Sequence, residues 1–594
     1  QDLTVQASSV KLGNVGATTG LGAVTDTSDT KLTGSTYDAS SFDFGALVLA
    51  NDATIDASGD ITIASVDGAT NGGQDLTLEG ASVSLGDVGD SKRLGALTDT
   101  TATTLTGSNY DAVSFDFGAL TLTDSASLNA TGAITIASVD GTTNGGQDLT
   151  LKGSSVSLGD VGDNKSLGSL TDTSATTLTG SSYDAAAMTF GALTLTSNTS
   201  LDASGDITIA SVDGTTAGAQ ALSLQASSVK LGSVGATTSL GAFTDDATTK
   251  LTGSTYDASS IDFEGDITLT AATTTFDTSS AAGDITVAGT ISGTTNGGQS
   301  LVLIAGPGTG DASANGNISL QDVGTSKKKL DNLTVSGNNF SAATVWLAGD
   351  FTSQLIGNQV FTADTLNAGG NVNSTVGGDA TGHIVANGDV TITAGDITGS
   401  TVVAGGDVNA KANSVTTSTF SGKNITITAD TVNATADAVD KVEINSETID
   451  GSYSGDTVSL TASQNIDATI KATDVDVNAP RGSVDGTWTN LDLTSAGTVE
   501  VNGEPHVGNF VNGQQLVVEG FVLPAGAVVT ANGQLVLPPG MVIGLLSPGG
   551  DSKPKLILVH SVQDLGSLLE AGYMAIIIDL SGHKKDDKIQ LASN

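Results

Sequence analysis

The sequence predicts an all-β fold, a right-handed parallel β-helix with a small C-terminal α/β cap. Three observations predict it. One long stretch of text is written four times at a fixed spacing, a shorter unit repeats at single-coil length further on, and the last stretch changes vocabulary.

The long repeat opens with Q-[DA]-L-[TS]-[LV] at Gln1, Gln74, Gln147 and Gln220, 73 residues apart each time; a fifth start, QSLVL, follows at Gln299 after 79. Within the copies, versions of SVSLGDVG, LTGSxYDA, FGALTLT and ITIASVDG come in the same order. Self-similarity at a long fixed period marks a stacked architecture. The period exceeds one coil of a common solenoid, so three coils of about 24 residues are expected per copy, with four of about 18 as the alternative. Like residues of successive copies are expected to sit directly above one another along one axis.

The short repeat is x-G-x-[DN]-[VI], read from Ala368, Ala386, Ala404 and Ser421 at steps of 18, 18 and 17, and again from Ser454, with ANGDV from Ala386 and SGDTV from Ser454 as looser copies. Each copy supplies a glycine turn, an Asn or Asp, and an alternating strand, which is one turn of a β-helix. Stacking at the interstrand spacing puts Val372, Val390, Val408 and Ile425 on one inward ladder. Asn371, Asp389, Asp407 and Asn424 then stack at a corner, where mixing Asn with Asp limits repulsion. Parallel crossovers are right-handed, hence the expected hand. The expected domains are 1–298 for the long repeats, 299–498 for irregular and single-coil repeats, and 499–594 for the terminal module.

From Val499 the text alters. Pro505, Pro524, Pro538, Pro539, Pro548 and Pro554, six of the eight prolines, fall here. Related units start at Asn512 and Asn532, a helix is predicted from an N-cap at Ser561 to a stop at Gly572, and a strand from Tyr573. This α/β piece is expected to cover a strand edge that would otherwise invite polymerisation. A partner-docking or anchoring role is the sharper alternative.

Composition removes several classes. Glycine, serine and threonine suggest disorder, but the alternating Val/Ile/Leu/Thr runs contradict it, and glycine lacks the collagen period. A net charge of −43, with only 21 Lys plus Arg, repels nucleic acid and anionic membranes. The absence of cysteine removes disulfides and thiolate metal sites. No apolar run reaches transmembrane length. Because Gln1 begins at a repeat start, the chain reads as a piece of a longer secreted precursor.

The sequence offers no catalytic, cofactor-binding or metal-ligating residue. A glycosidase needs a unique pair of carboxylates, whereas these aspartates repeat with the coil. Trp346 and Trp488 are isolated, and His383, His506, His560 and His583 lack zinc-ligand spacing. Oxygen ligands for Ca²⁺ are plentiful, but the GD pairs are better read as turns. Tyr37, Tyr110, Tyr183 and Tyr256, each followed by an aspartate, form either a ligand row or corner packing; packing is preferred. Threonine runs such as TDTTATTLTG invite an ice-binding reading, set aside because the rows recur once per 73 residues rather than once per coil. Matches to Asn-x-Ser/Thr at Asn129, Asn317, Asn332, Asn373, Asn424 and Asn433 are what this composition produces by chance.

Degenerate coils such as GDITI, GALTLT, AGGDVNA and GKNITITAD resemble the filamentous haemagglutinin-like adhesins, large exoproteins of Gram-negative two-partner secretion. The likeness covers about residues 1–498, and the cysteine-free Asp/Thr-rich repeats look most like biofilm-matrix adhesins of pseudomonads. The resemblance implies a secreted or cell-surface protein that mediates adhesion and biofilm formation. Its implied partners are exopolysaccharide or cell-surface glycans and an outer-membrane secretion or anchoring pore. The family's N-terminal secretion domain and the C-terminal cysteine pair of some members are not in this sequence. An adhesin is therefore the expected function. A self-associating filament or sheath subunit is the alternative, and a polysaccharide-active enzyme the second.

Overall fold

The computed structural model describes residues 1–479 and, beyond them, segments 484–487, 491–495, 498–501, 515–518, 521–524, 527–529, 535–546, 557–559, 562–571 and 573–579. The chain divides into two compact units, Gln1–Leu330 and Asp331–Asn594.

The first unit is a β-solenoid built of parallel strands. Alternation drives it: in Asp60–Gly68, Ile61, Ile63 and Val66 are buried while Asp60 and Thr62 face out. Each fully buried aliphatic side chain contributes roughly 1.5–3 kcal/mol. The chain passes Leu3, Val10 and Val15, then returns at Val24, which pairs with Leu3. Three ladders result, called A, B and C after those first three residues. Ladder A climbs through Leu3, Val24, Phe42, Ile61, Val83 and Thr103. It continues through Leu120, Val139, Val161, Tyr183, Leu201 and Leu224. That is 221 residues in eleven turns, about 20 per turn.

A copy of the long repeat therefore does not hold a whole number of turns. The opening strand of the first copy, Leu3–Val5, lies on ladder A. Its counterpart Leu76–Glu79 lies on ladder C, reached from Val15 through Tyr37 and Ile55. Leu149–Lys152 lies on ladder B, reached from Val10 through Thr30, Leu47, Val66, Val88, Tyr110 and Leu128. The fourth, Leu222–Gln225, is back on ladder A.

Three copies thus fill eleven turns, and each copy is rotated a third of a turn from the one before. This corrects both expected coil counts and the expected superposition: like residues of neighbouring copies face different ways and realign only after three copies. The cause is that a copy carries eleven strand segments while a turn uses three.

Aspartate and asparagine tie the corners. Asp87 accepts the N–H groups of Ser108 and Asn109 in the next turn at 2.7 and 3.0 Å, and Asp160 those of Ser181 and Ser182 at 2.6 and 3.0 Å. The second unit repeats the device more regularly. Val372, Val390, Val408 and Ile425 pair in one buried ladder, as expected. Beside them the side-chain oxygens of Asn332, Asp350, Asn371 and Asp389 each accept the N–H of the next residue in the series Asp350, Asn371, Asp389 and Asp407, at 2.7–2.8 Å. Asn424 closes the series by donating its side-chain N–H to Asp407 at 2.8 Å. The polar stack therefore joins turns by hydrogen bonds, which offset the repulsion that sequence alone suggests.

Toward the C-terminus, Thr498–Val501 pairs in parallel with Gln515–Val518, which pairs antiparallel with Phe521–Val522. Met541–Leu546 pairs antiparallel with both Ile557–Leu558 and Met574–Asp579. A helix, α1, spans Val562–Glu570. The predicted cap and stop residues Ser561 and Gly572 lie outside the described residues, as do Trp488, His506, His560, His583, Pro505, Pro548, Pro554, Asn512 and Asn532.

Candidate functional site

The repeated tyrosines are core residues. Tyr37, Tyr110, Tyr183 and Tyr256 are all at most 1% exposed. The hydroxyl of Tyr183 accepts the N–H of Gly180 at 3.0 Å and donates to the carbonyl of Leu158 at 2.7 Å; the other three repeat this with Gly34, Gly107 and Gly253 and with Leu12, Leu85 and Leu231. Burial pushes the Tyr183 phenol well above its ordinary range. Each ring fills the interior while its hydroxyl ties one turn to the next, which settles the pair of readings in favour of packing. Tyr183→Phe is expected to leave the buried Gly180 N–H unpaired and cost about 1–3 kcal/mol, seen as faster amide exchange in the turns around residue 180. Unchanged exchange there would contradict this role.

A second buried set was not legible as such. Asp26, Asp99, Asp172 and Asp245 are at most 1% exposed. Each accepts the hydroxyl hydrogen of the threonine four residues on, Thr30, Thr103, Thr176 or Thr249, at 2.5–2.6 Å. Each also accepts the backbone N–H two residues on, at 2.8–3.1 Å. The D-x-x-x-T spacing in all four copies is the signal that finds them. Burial, with Asp246 adding its charge, pushes the Asp245 carboxyl up to about 6. These carboxylates are saturated by their own corners.

What faces outward is hydroxyl. On ladder C, Thr36, Thr54, Thr77 and Thr98 stack in consecutive turns. After Asp116 come Thr135, Ser157, Thr177 and Thr194, and then Asp213. Ladder B carries Asn109, Ser127, Thr150, Thr171, Thr189 and Thr208 in one column. The expectation of one threonine row per 73 residues is therefore overturned. Because each copy lands a third of a turn further round, threonines from different parts of different copies line up turn after turn. On ladder A, Ser200, Ser223 and Thr244 border an open groove of about 320 Å³ that also includes Asn198 and Ala221. Ala221 stands where the earlier copies carry Asp2, Asp75 and Asp148, so this groove is less acidic than its counterparts.

Among the described residues no group of three or more His, Asp or Glu side chains is arranged to hold a metal ion, and His383 is exposed. No described helix is long and apolar enough to cross a membrane. The class these features define is a parallel β-solenoid with polar, repeating outer faces. No family model matches the chain, and no curated protein or solved structure gives a match.

Proposed function

We propose that this chain is the shaft of a secreted or surface-held bacterial adhesin, binding matrix glycans or cell surfaces and supporting biofilm formation. The observation that carries the reading is the outward hydroxyl columns, repeated turn after turn and, through the rotation of the copies, displayed on all three sides. Many weak hydrogen-bonding contacts of this kind sum by avidity, which suits a glycan matrix around the solenoid faces. The resemblance to two-partner-secretion exoproteins supports the same reading and implies export through an outer-membrane pore. A stack of locally paired turns can fold progressively as it emerges from such a pore.

The test is binding of the purified chain to whole cells and to a panel of exopolysaccharides. Retention is expected, and a version with fewer long repeats should dissociate faster. No binding to either, with fibres by electron microscopy, would replace this reading with a structural filament. Release of reducing sugars from the panel would replace it with an enzyme.

A further inference from the structure

In the first unit five lysines lie in strands: Lys11, Lys31, Lys152, Lys230 and Lys250. All five are on ladder B. Lys11 pairs with Lys31 and Lys230 with Lys250. On the outer face of that ladder Lys31 is followed in register by Val48 and Asp67, Asp111 and Asn129 lead to Lys152, and Thr150, Thr171, Thr189 and Thr208 lead to Lys230, so Lys152 stands two residues along its strand from the column that carries Lys230. The rotation of the copies gives this alignment its meaning. The positions of Lys11 and Lys31 are Ser84 and Thr104 in the second copy, which face ladder A, and Ser157 and Thr177 in the third, which face ladder C. Lysine returns at these positions only in the fourth copy, when they point along ladder B again. Lys152 replaces the Gln6, Glu79 and Gln225 of the other copies, and it does so in the one copy whose opening strand lies on ladder B.

All five are exposed, and among the described residues none has a carboxylate within ion-pair distance. Like charges on adjacent strands repel, so each of the two stacked lysine pairs carries a cost. The acidic groups between them are already engaged: Asp67 accepts the N–H groups of Ser91 and Lys92, Asp87 those of Ser108 and Asn109, and Asp111 pairs with Arg93. The hydroxyl column from Ser127 to Thr208 occupies the turns between Lys31 and Lys230. Those ten turns span roughly 48 Å at the usual interstrand spacing.

Resting on the adhesin reading, we propose that the ladder B face binds a linear acidic polysaccharide laid along the solenoid axis. The lysines take carboxylates spaced along the polymer, and the Ser/Thr column takes sugar hydroxyls. A nucleic acid fits less well, because its dense phosphates need many more cations than five on a chain of net charge −43.

The test uses the full chain with polygalacturonate, dextran and duplex DNA at low and high salt. The variant Lys11→Ser, Lys31→Thr, Lys152→Gln, Lys230→Ser, Lys250→Thr places at each position a residue that another copy already carries there, so the fold is kept. Wild type is expected to bind polygalacturonate in a salt-sensitive way, the variant about tenfold or more weakly, with dextran binding unchanged. Adding Ser84→Lys, Thr104→Lys, Ser157→Lys and Thr177→Lys to the variant restores charge on the other two faces and is expected not to restore affinity. Unaltered affinity in the variant, recovery in the relocated one, tighter binding to DNA, or no binding of polygalacturonate by wild type would each overturn the proposal. If wild type still holds cells or neutral glycan, only this inference fails; if it holds neither, the adhesin reading fails with it.

Discussion

Gly159→Ala is expected to unfold the turns around it, whereas Gly13→Ala, the same position in the first copy, leaves stability unchanged. A Cβ on Gly159 would overlap the carbonyl oxygen of Ala137 in the turn below, and one on Gly86 or Gly232 would meet Ala64 or Ala210 in the same way. The obstacle is backbone held in a parallel ladder, with Ser138 paired to Asp160 and Ile136 to Leu158, so it has no rotamer to move. At Gly13 nothing lies within 4 Å of the added carbon. The expected cost at Gly159 is about 3 kcal/mol or more. Solenoids lose turns locally, so limited proteolysis and amide exchange near residues 137–160 are the proper readouts. Equal protection in the two variants would show that the turns are not packed at this distance.

Lowering the pH from 7.5 to 5 is expected to stabilise the turns around Asp245, and Asp245→Asn is expected to abolish that response. The folded carboxyl is raised from 3.8 to about 6, by burial first and by neighbouring Asp246 in smaller part, against the hydrogen bonds from Thr249 and Ala247. Between those two values the folded chain holds a proton that the unfolded chain has lost, so stability falls as pH rises through this window. Fully ionised above it, the group costs on the order of 3 kcal/mol relative to its protonated form. Asparagine can accept the Ala247 N–H and donate to Thr249, whose hydroxyl has the Ala247 carbonyl within 3.4 Å. The asparagine variant should therefore exceed wild type at pH 7.5 and by about half as much at pH 5, where the window between 3.8 and about 6 is only partly crossed. A wild-type profile that rises with pH would contradict the assignment.

Much of the architecture is legible in the residues because inward positions are apolar at a spacing of two. Val372, Val390, Val408 and Ile425 can be stacked from text alone, since there one repeat is one turn. The long repeat is harder for a definite reason. Its length reports the number of strand segments, while the number of turns depends on how many segments close a circuit. Corner loops such as Thr70–Gln74, with Gly72 at φ +72°, vary the distance between segments and hide that number. Asp172 reads as a surface residue by its charge, and only its partner Thr176 betrays burial. The common direction of Lys31, Lys152 and Lys230 cannot be seen until the phase of each copy is known.

That phase makes the array behave like a text with a reading frame of three. Excising residues 74–146 would join two identical-looking sentences without breaking a strand, and the junction should fold. Lys152, Lys230 and Lys250 would nevertheless swing together to ladder C, leaving Lys11 and Lys31 behind on ladder B. Removing or inserting three copies at once would be silent in direction and alter reach alone.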